Sequence, residues 1–185
     1  MEMGRITNVM EKFKYDASLT KEEASKKIAS DLQECGYTIV ESDFERPWGG
    51  YHRIADDQAQ KFIEDFFGGV DLPPIPKDAT VSPKLLVPEA GLLLSWQDHE
   101  RRGEFWRVID GPVGAFLSDT DEQPSEPQVF QNGETIYMPV RTRHRLVGLS
   151  KRGVVAEIWI HTNPQHPSDE LDIRRISDNF GRESK

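Results

Sequence analysis

Two stretches decide how this chain is read. The first is Gly91-Leu-Leu-Leu-Ser-Trp-Gln97-Asp-His99-Glu-Arg-Arg-Gly-Glu104, closed by Gly111. The second is Gly133-Glu-Thr-Ile-Tyr-Met-Pro139-Val-Arg-Thr-Arg-His144-Arg-Leu. Each has the form of a strand, a turn and a strand, with glycine and proline where the chain must reverse. Alternate residues of a strand point the same way, so Gln97 and His99 share a face. Glu104 arrives from the next turn or strand, and His144 from a distant one. Two imidazoles, a carboxylate and an amide oxygen converging on one point make a metal site of borderline hardness. Zinc, manganese, iron, nickel and cobalt all accept such donors.

Composition sets the frame. At 185 residues, with 36% hydrophobic and 30% charged residues, the expectation is one soluble domain with one core. No apolar run approaches the length of a membrane span. The start, Met-Glu-Met-Gly-Arg, lacks the apolar region of a secretory signal, and the single cysteine, Cys35, has no partner for an internal disulfide. A cytoplasmic location is therefore expected. A net charge of -9 argues against nucleic acid as a partner. It leaves room for a small anionic ligand held by a local cluster of Arg and Lys.

Residues 1–43 read as a helical extension packed on a barrel of residues 44–185 that ends in a capping segment. Thr20-Lys-Glu-Glu23 is a capping box, and Ala24, Ile28, Ala29 and Leu32 follow at helical spacing, which predicts a helix near 20–35 stopped at Gly36. Strand signals fall at 37–40, 85–87, 92–96, 104–109, 114–117, 135–138, 144–147 and 154–161. Pro73-Pro-Ile-Pro76 marks a loop, and the acidic 118–128 segment reads as another. Residues 169–176 are either a short helix or a strand over the barrel mouth. Many short strands with Gly/Pro turns predict an all-β sandwich or barrel.

The spacing of the two framed stretches resembles the paired motifs of the cupin superfamily, whose fold is a double-stranded β-helix, or jelly roll. Three positions depart from it: Gln97 stands for the first His, Arg141 for a glycine and Gly148 for the usual Asn. Four segments resemble the type II phosphomannose isomerases within that superfamily. They are Arg46-Pro-Trp-Gly-Gly-Tyr51, Leu94-Ser-Trp-Gln-Asp-His99 with Glu104-Phe-Trp106, Tyr137-Met-Pro-Val-Arg-Thr-Arg-His-Arg-Leu146, and Asp172-Ile-Arg-Arg175 running to Arg182. The resemblance covers about residues 44–182. It implies Gln97, His99, Glu104 and His144 as ligands of a divalent metal, with Gln at the first position as the family norm. It implies Lys84, Arg145, Arg175 and Arg182 as cations for a sugar phosphate, gripped through guanidinium forks.

Three further departures bear on activity. Phe105 replaces a family His, and Trp159 and His161 replace the Glu and Gln of a later strand, which places Trp159 against the substrate. The first reading is a metal-dependent sugar or sugar-phosphate isomerase, in which Lys84, Arg145 and His161 are the catalytic candidates. Lys84, Glu157 and His161 are the candidates for the proton-transfer base. The alternatives are a non-catalytic sugar-binding or sensory cupin and a metal-dependent dioxygenase. Cupin barrels are commonly dimers, so a homodimer is the analogous expectation.

Overall fold

Val154–His161 is buried at every position, because both faces of its sheet are covered. Ala156, Ile158 and Ile160 belong to one apolar cluster and Val155 to another, as the two-residue period of a strand requires. This strand is the tenth of eleven in the computed structural model, which describes residues 9–76 and 78–182. In chain order these are helix α1 (Lys21–Glu34), β1 (Ile39–Asp43), β2 (Gly49–Ile54), a 3-10 turn (Asp56–Gln58), helix α2 (Ala59–Phe67), β3 (Val81–Pro88), β4 (Trp96–Asp98), β5 (Arg102–Asp110), β6 (Val113–Ser118), β7 (Gln128–Phe130), β8 (Thr135–Met138), β9 (Arg143–Gly148), β10 (Val154–His161) and β11 (Arg174–Ser177).

The strands form two antiparallel sheets. One runs β1-β2-β3-β10-β5-β8 and the other β11-β4-β9-β6-β7. Neighbours that are distant in sequence, such as β3 with β10 and β4 with β9, are the crossovers of a jelly roll. The fold is the cupin-type two-sheet barrel that the paired motifs imply. Among the described residues no helix is long and apolar enough to cross a membrane.

The outer face of the six-stranded sheet is sealed by helices. Leu85, Val87, Phe105, Ile109 and Ile158 pack there with Ile28 and Leu32 of α1 and Phe62, Phe66 and Phe67 of α2. Helix α1 starts at the expected capping box: Thr20 Oγ1 accepts from Glu23 N and the Glu23 carboxylate accepts from Thr20 N. It stops at Gly36 in a left-handed conformation, with Tyr37 N donating to Leu32 O. Helix α2 has no counterpart in the sequence reading. The helix and the loop that follows it, rather than a loop alone, separate the Arg46 motif from β3 and the metal motifs. The chain before residue 44 supplies an edge strand as well as a helix, since β1 pairs with β2. The 169–176 region resolves into a turn and a strand, with β11 pairing with β4.

Of the motif departures, Gly148 is required by the backbone around it, whereas Arg141 stands in a conformation that glycine adopts at lower cost. Arg141 has φ 65°, a left-handed conformation that favours glycine. It is the position where the superfamily motif carries glycine. At Gly148 an added Cβ would lie 2.1 Å from the Glu89 carbonyl oxygen, because Gly91 N closes on Gly148 O at 2.8 Å. Replacing Gly148 by the usual Asn should therefore lower stability by about 3 kcal/mol, the upper range for overpacking a rigid site. Urea unfolding of Gly148→Asn measures it.

His52 ties β2 to α1, with its ring against Ser42 Oγ (2.7 Å) and the Ser25 carbonyl (3.2 Å). Burial pushes its pKa down from 6.5 to about 4. The unfolded chain binds this proton first as pH falls, so stability is lost between about pH 6.5 and pH 4. The loss should be roughly 3 kcal/mol. Unfolding midpoints across that range should show this slope in the unmodified chain and a shallower one in His52→Gln.

Candidate metal centre

The inner faces of β3, β4, β5, β9 and β10 bring polar side chains into a space that the apolar clusters leave open. Gln97 and His144 are cross-strand partners on β4 and β9. His99 sits in the turn after β4, and Glu104 is on β5. His99, Glu104 and His144 are buried, and one donor atom from each lies within 4.8 Å of the others. Glu104 Oε1 is 3.1 Å from His99 Nε2, and its Oε2 is 3.3 Å from His144 Nε2.

Both imidazoles are oriented from behind. The Nδ1 of His99 lies 2.5 Å from the Asp172 carbonyl oxygen, and that of His144 lies 2.9 Å from the Thr142 carbonyl oxygen. A carbonyl only accepts, so Nδ1 carries the proton and each Nε2 keeps an in-plane lone pair on the side of the cluster. This is the outer-shell arrangement of metal-ligating histidine. Burial, joined by Arg102, holds the His99 pKa below its ordinary value, so the ring is neutral and fit to ligate. His144 Nε2 is buried without a hydrogen-bond partner. Burial opposes charge on Glu104, but the positive charge that either imidazole carries when protonated, and the fixed charge of Arg102, hold the carboxyl well below the ordinary range. An orphaned imidazole lone pair, a second lone pair and an ionised carboxylate fit a divalent ion. The Gln97 amide adjoins them, with Nε2 3.4 Å from His99 Nε2 and Oε1 accepting from Ser95 Oγ at 2.5 Å.

The cavity beside this cluster encloses about 70 Å³. Of the residues expected to meet substrate, Lys84, Trp159, Arg175 and Arg182 line it. Lys84 Nζ is already paired with Glu170 Oε1 at 2.6 Å and lies 3.8 Å from the Trp159 ring centre. Arg182 is held by Asp178 through Nη2 at 2.6 Å.

Arg145 and His161 are placed elsewhere. Arg145 follows His144 on β9 and so points to the opposite face. Its Nε donates to the Leu94 carbonyl at 2.6 Å, and its Nη atoms donate to Gln123 and Asn179. It pins the 118–128 loop and the C-terminal segment, and it does not line the cavity. His161 ends β10, with Nε2 2.9 Å from Ser82 Oγ and Nδ1 accepting from Ser168 N at 2.9 Å. Nδ1 is engaged by Ser168 of the mouth loop and Nε2 by Ser82 of β3, and His161 does not line the cavity.

Phe105 faces outward against Phe67, ring centres 5.2 Å apart. The family His that it replaces is thus not a loss from the cavity.

Two residues supply what the sequence reading left open. Glu157 is buried on the inner face of β10, between Lys84 and Trp106 on the flanking strands. Its Oε1 accepts from Trp106 Nε1 at 2.9 Å, and Oε2 has no partner. Burial, and then the charge of Glu104, push its pKa up to about 8. Arg102 was not singled out at all. It is buried on the same face as Glu104, two residues away, and that spacing was the available signal.

No protein-family model matches the chain. It is 29% identical over 168 residues to the alginate biosynthesis protein AlgA of Pseudomonas putida, covering 89% of this chain and 28% of that protein. It is 27% identical over 159 residues to AlgA of Pseudomonas aeruginosa, covering 85% and 27%. The chain thus spans little more than a quarter of the length of these relatives. Among solved structures, one described as DMSP lyases RdDddP and RnDddQII aligns over 92% of this chain and 76% of its own, at 13% identity and a TM-score of 0.47. KdgF from Halomonas sp. aligns over 70% and 90%, at 16% identity and a TM-score of 0.40.

If the cluster is a ligand set, the double change His99→Ala plus His144→Ala should abolish stoichiometric binding of zinc or cobalt while leaving the barrel folded. Elemental analysis of the dialysed protein, beside its circular dichroism, reads both.

Proposed function

We propose that the chain is a metal-dependent aldose–ketose isomerase acting on a sugar or sugar phosphate. One observation carries this reading: a cluster fit for a divalent ion and a buried, half-satisfied carboxyl, Glu157, line the same small cavity. The resemblance to type II phosphomannose isomerases and the likeness to two alginate biosynthesis proteins support carbohydrate as the substrate class. His99, Glu104 and His144 would hold the ion, with Gln97 beside them. A divalent ion there supplies a Lewis acid that polarises a carbonyl.

Glu157 moves the proton. Its carboxylate takes the hydrogen from the carbon next to the carbonyl, the C–H electron pair becomes the double bond of an enediolate, and the carbonyl π pair moves onto the carbonyl oxygen. The hydroxyl proton of the neighbouring carbon passes to the former carbonyl oxygen, and the same carboxyl returns its proton to the former carbonyl carbon as the new carbonyl forms. A carboxyl whose pKa lies near neutrality suits both halves of this exchange. Lys84 and Arg175 stand where an anionic substituent of the sugar would meet them.

A second reading, a non-catalytic sugar-binding cupin, is favoured by the small cavity and by the Glu170 carboxylate already on Lys84. Ligand sites commonly measure about 300–1,000 Å³, so a sugar must displace the mouth segment in order to enter.

Metal-loaded protein should convert mannose 6-phosphate or a neutral aldose to the corresponding ketose. Glu157→Gln should lower kcat by roughly 100-fold or more, the scale of general acid–base catalysis, with metal content unchanged. Saturable sugar binding without turnover in the unmodified chain would select the binding reading. Oxygen uptake would select a dioxygenase.

A further inference from the structure

Arg102 occupies an unusual place. Its Nε donates to Glu104 Oε1 at 2.9 Å, and its Nη2 lies 3.1 Å from His99 Nε2. The other end is anchored: Nη1 donates to Ser168 Oγ at 2.7 Å and to the Asp169 carbonyl at 3.1 Å. Its Cζ lies 3.6 Å from the centre of the Trp159 ring. The side chain is 4% exposed.

The His99 Nδ1–H is committed to the Asp172 carbonyl, so Nε2 offers one lone pair, and that lone pair faces Arg102 Nη2. A lone pair serves one electrophile. Residues that support a metal ligand ordinarily hold its non-ligating atom, as Asp172 and Thr142 do here. Arg102 instead holds the ligating atom, and it carries a full positive charge beside a site suited to a dication.

We propose that Arg102 is the built-in cation of this cluster, and that a divalent ion enters by taking the His99 Nε2 lone pair from its Nη2. Resting on the reading of His99, Glu104 and His144 as ligands, and on no isomerase chemistry, the exchange makes Arg102 the residue that sets metal affinity. The Arg102 Nε bond to Glu104 Oε1 is compatible with ligation through Oε2. The flat Trp159 face lets the guanidinium shift in its own plane while the Ser168 anchor holds.

The test is a zinc titration against a chromogenic chelator, with unmodified protein and Arg102→Met compared at one pH. Methionine keeps much of the apolar stem that lies on Trp159 and removes the charge and the donors. Zinc should bind Arg102→Met at least about tenfold more tightly, the order expected when one competing charge-assisted hydrogen bond is lost. Binding by Arg102→Met alone would also support the exchange. Equal or weaker affinity in the variant, as for a residue that merely orients Glu104, overturns it, and so does zinc binding by neither protein.

Should the variant fail to fold by near-UV circular dichroism, the unmodified chain still decides. The guanidinium nitrogen signals of Arg102 should shift in proportion to zinc added up to one equivalent, and unchanged signals overturn the proposal. An unmodified chain that shows this zinc behaviour and no isomerase activity supports the exchange and overturns only the isomerase reading.

Discussion

Burying the charge of Glu104 is the constraint on which the rest of the site depends. Removing a carboxylate from water costs several kcal/mol, and only well-placed donors and counter-charges offset it. The barrel interior gives Glu104 the Nε–H and the positive charge of Arg102 on one oxygen, with an imidazole Nε2 beside each oxygen. Each of these must in turn be held. Asp172 does much of that work from outside the barrel. Its carbonyl accepts from His99 Nδ1, and its carboxylate accepts from Glu100 N and Arg101 N at 3.0 Å and from Ser168 Oγ at 2.6 Å. The C-terminal segment is therefore wired to the ligand-bearing turn, and the pairing of β11 with β4 follows the same seam.

The same interior holds a second carboxyl in the opposite state. Glu157 shares the cavity with Glu104 but lacks a fork of donors, and it has only the Trp106 indole on one oxygen. Two carboxyls in one low-dielectric space do not both ionise at low cost. The one that is supplied with cations keeps the charge, and the other keeps its proton to higher pH. Environments that push two acids apart in this way separate a charge-bearing role from a proton-carrying one.

Much of the fold was legible because it is written in local rules. The capping box at Thr20, the strands 135–138 and 154–161, and the convergence of His99, Glu104 and His144 all follow from spacing and turn residues. Helix α2 was legible but passed over: Phe62, Ile63, Phe66 and Phe67 recur at helical spacing between Gln60, Lys61, Glu64 and Asp65, a pattern that argues helix even in nine residues. Within the site, motif matching outran strand parity. Arg145 adjoins His144 and must face away from it, whereas Arg102 lies two residues from Glu104 and must face the same way. Counting alternate positions would have exchanged the two. Glu170 was beyond reach, since it enters the cavity from an irregular mouth loop whose path depends on Asp172 and Ser168.

Trp159 shows why a departure from a motif is not by itself a loss. Read against the resembling family, it takes the place of a carboxylate on a strand that faces the substrate. In the folded chain it does face the cavity, and its indole carries two cations, Lys84 Nζ at 3.8 Å and Arg102 Cζ at 3.6 Å. A carboxylate at that position would instead stand as a third acid beside Glu104 and Glu157, in a space that already divides its charge between two. The carboxyl function on this face resides at Glu157, one strand period away, and the indole provides a neutral wall that binds cations without neutralising them. Lys84 and Arg102 stay on their carboxylates, Glu170 and Glu104, while Glu157, with one oxygen unpartnered, is left to hold a proton.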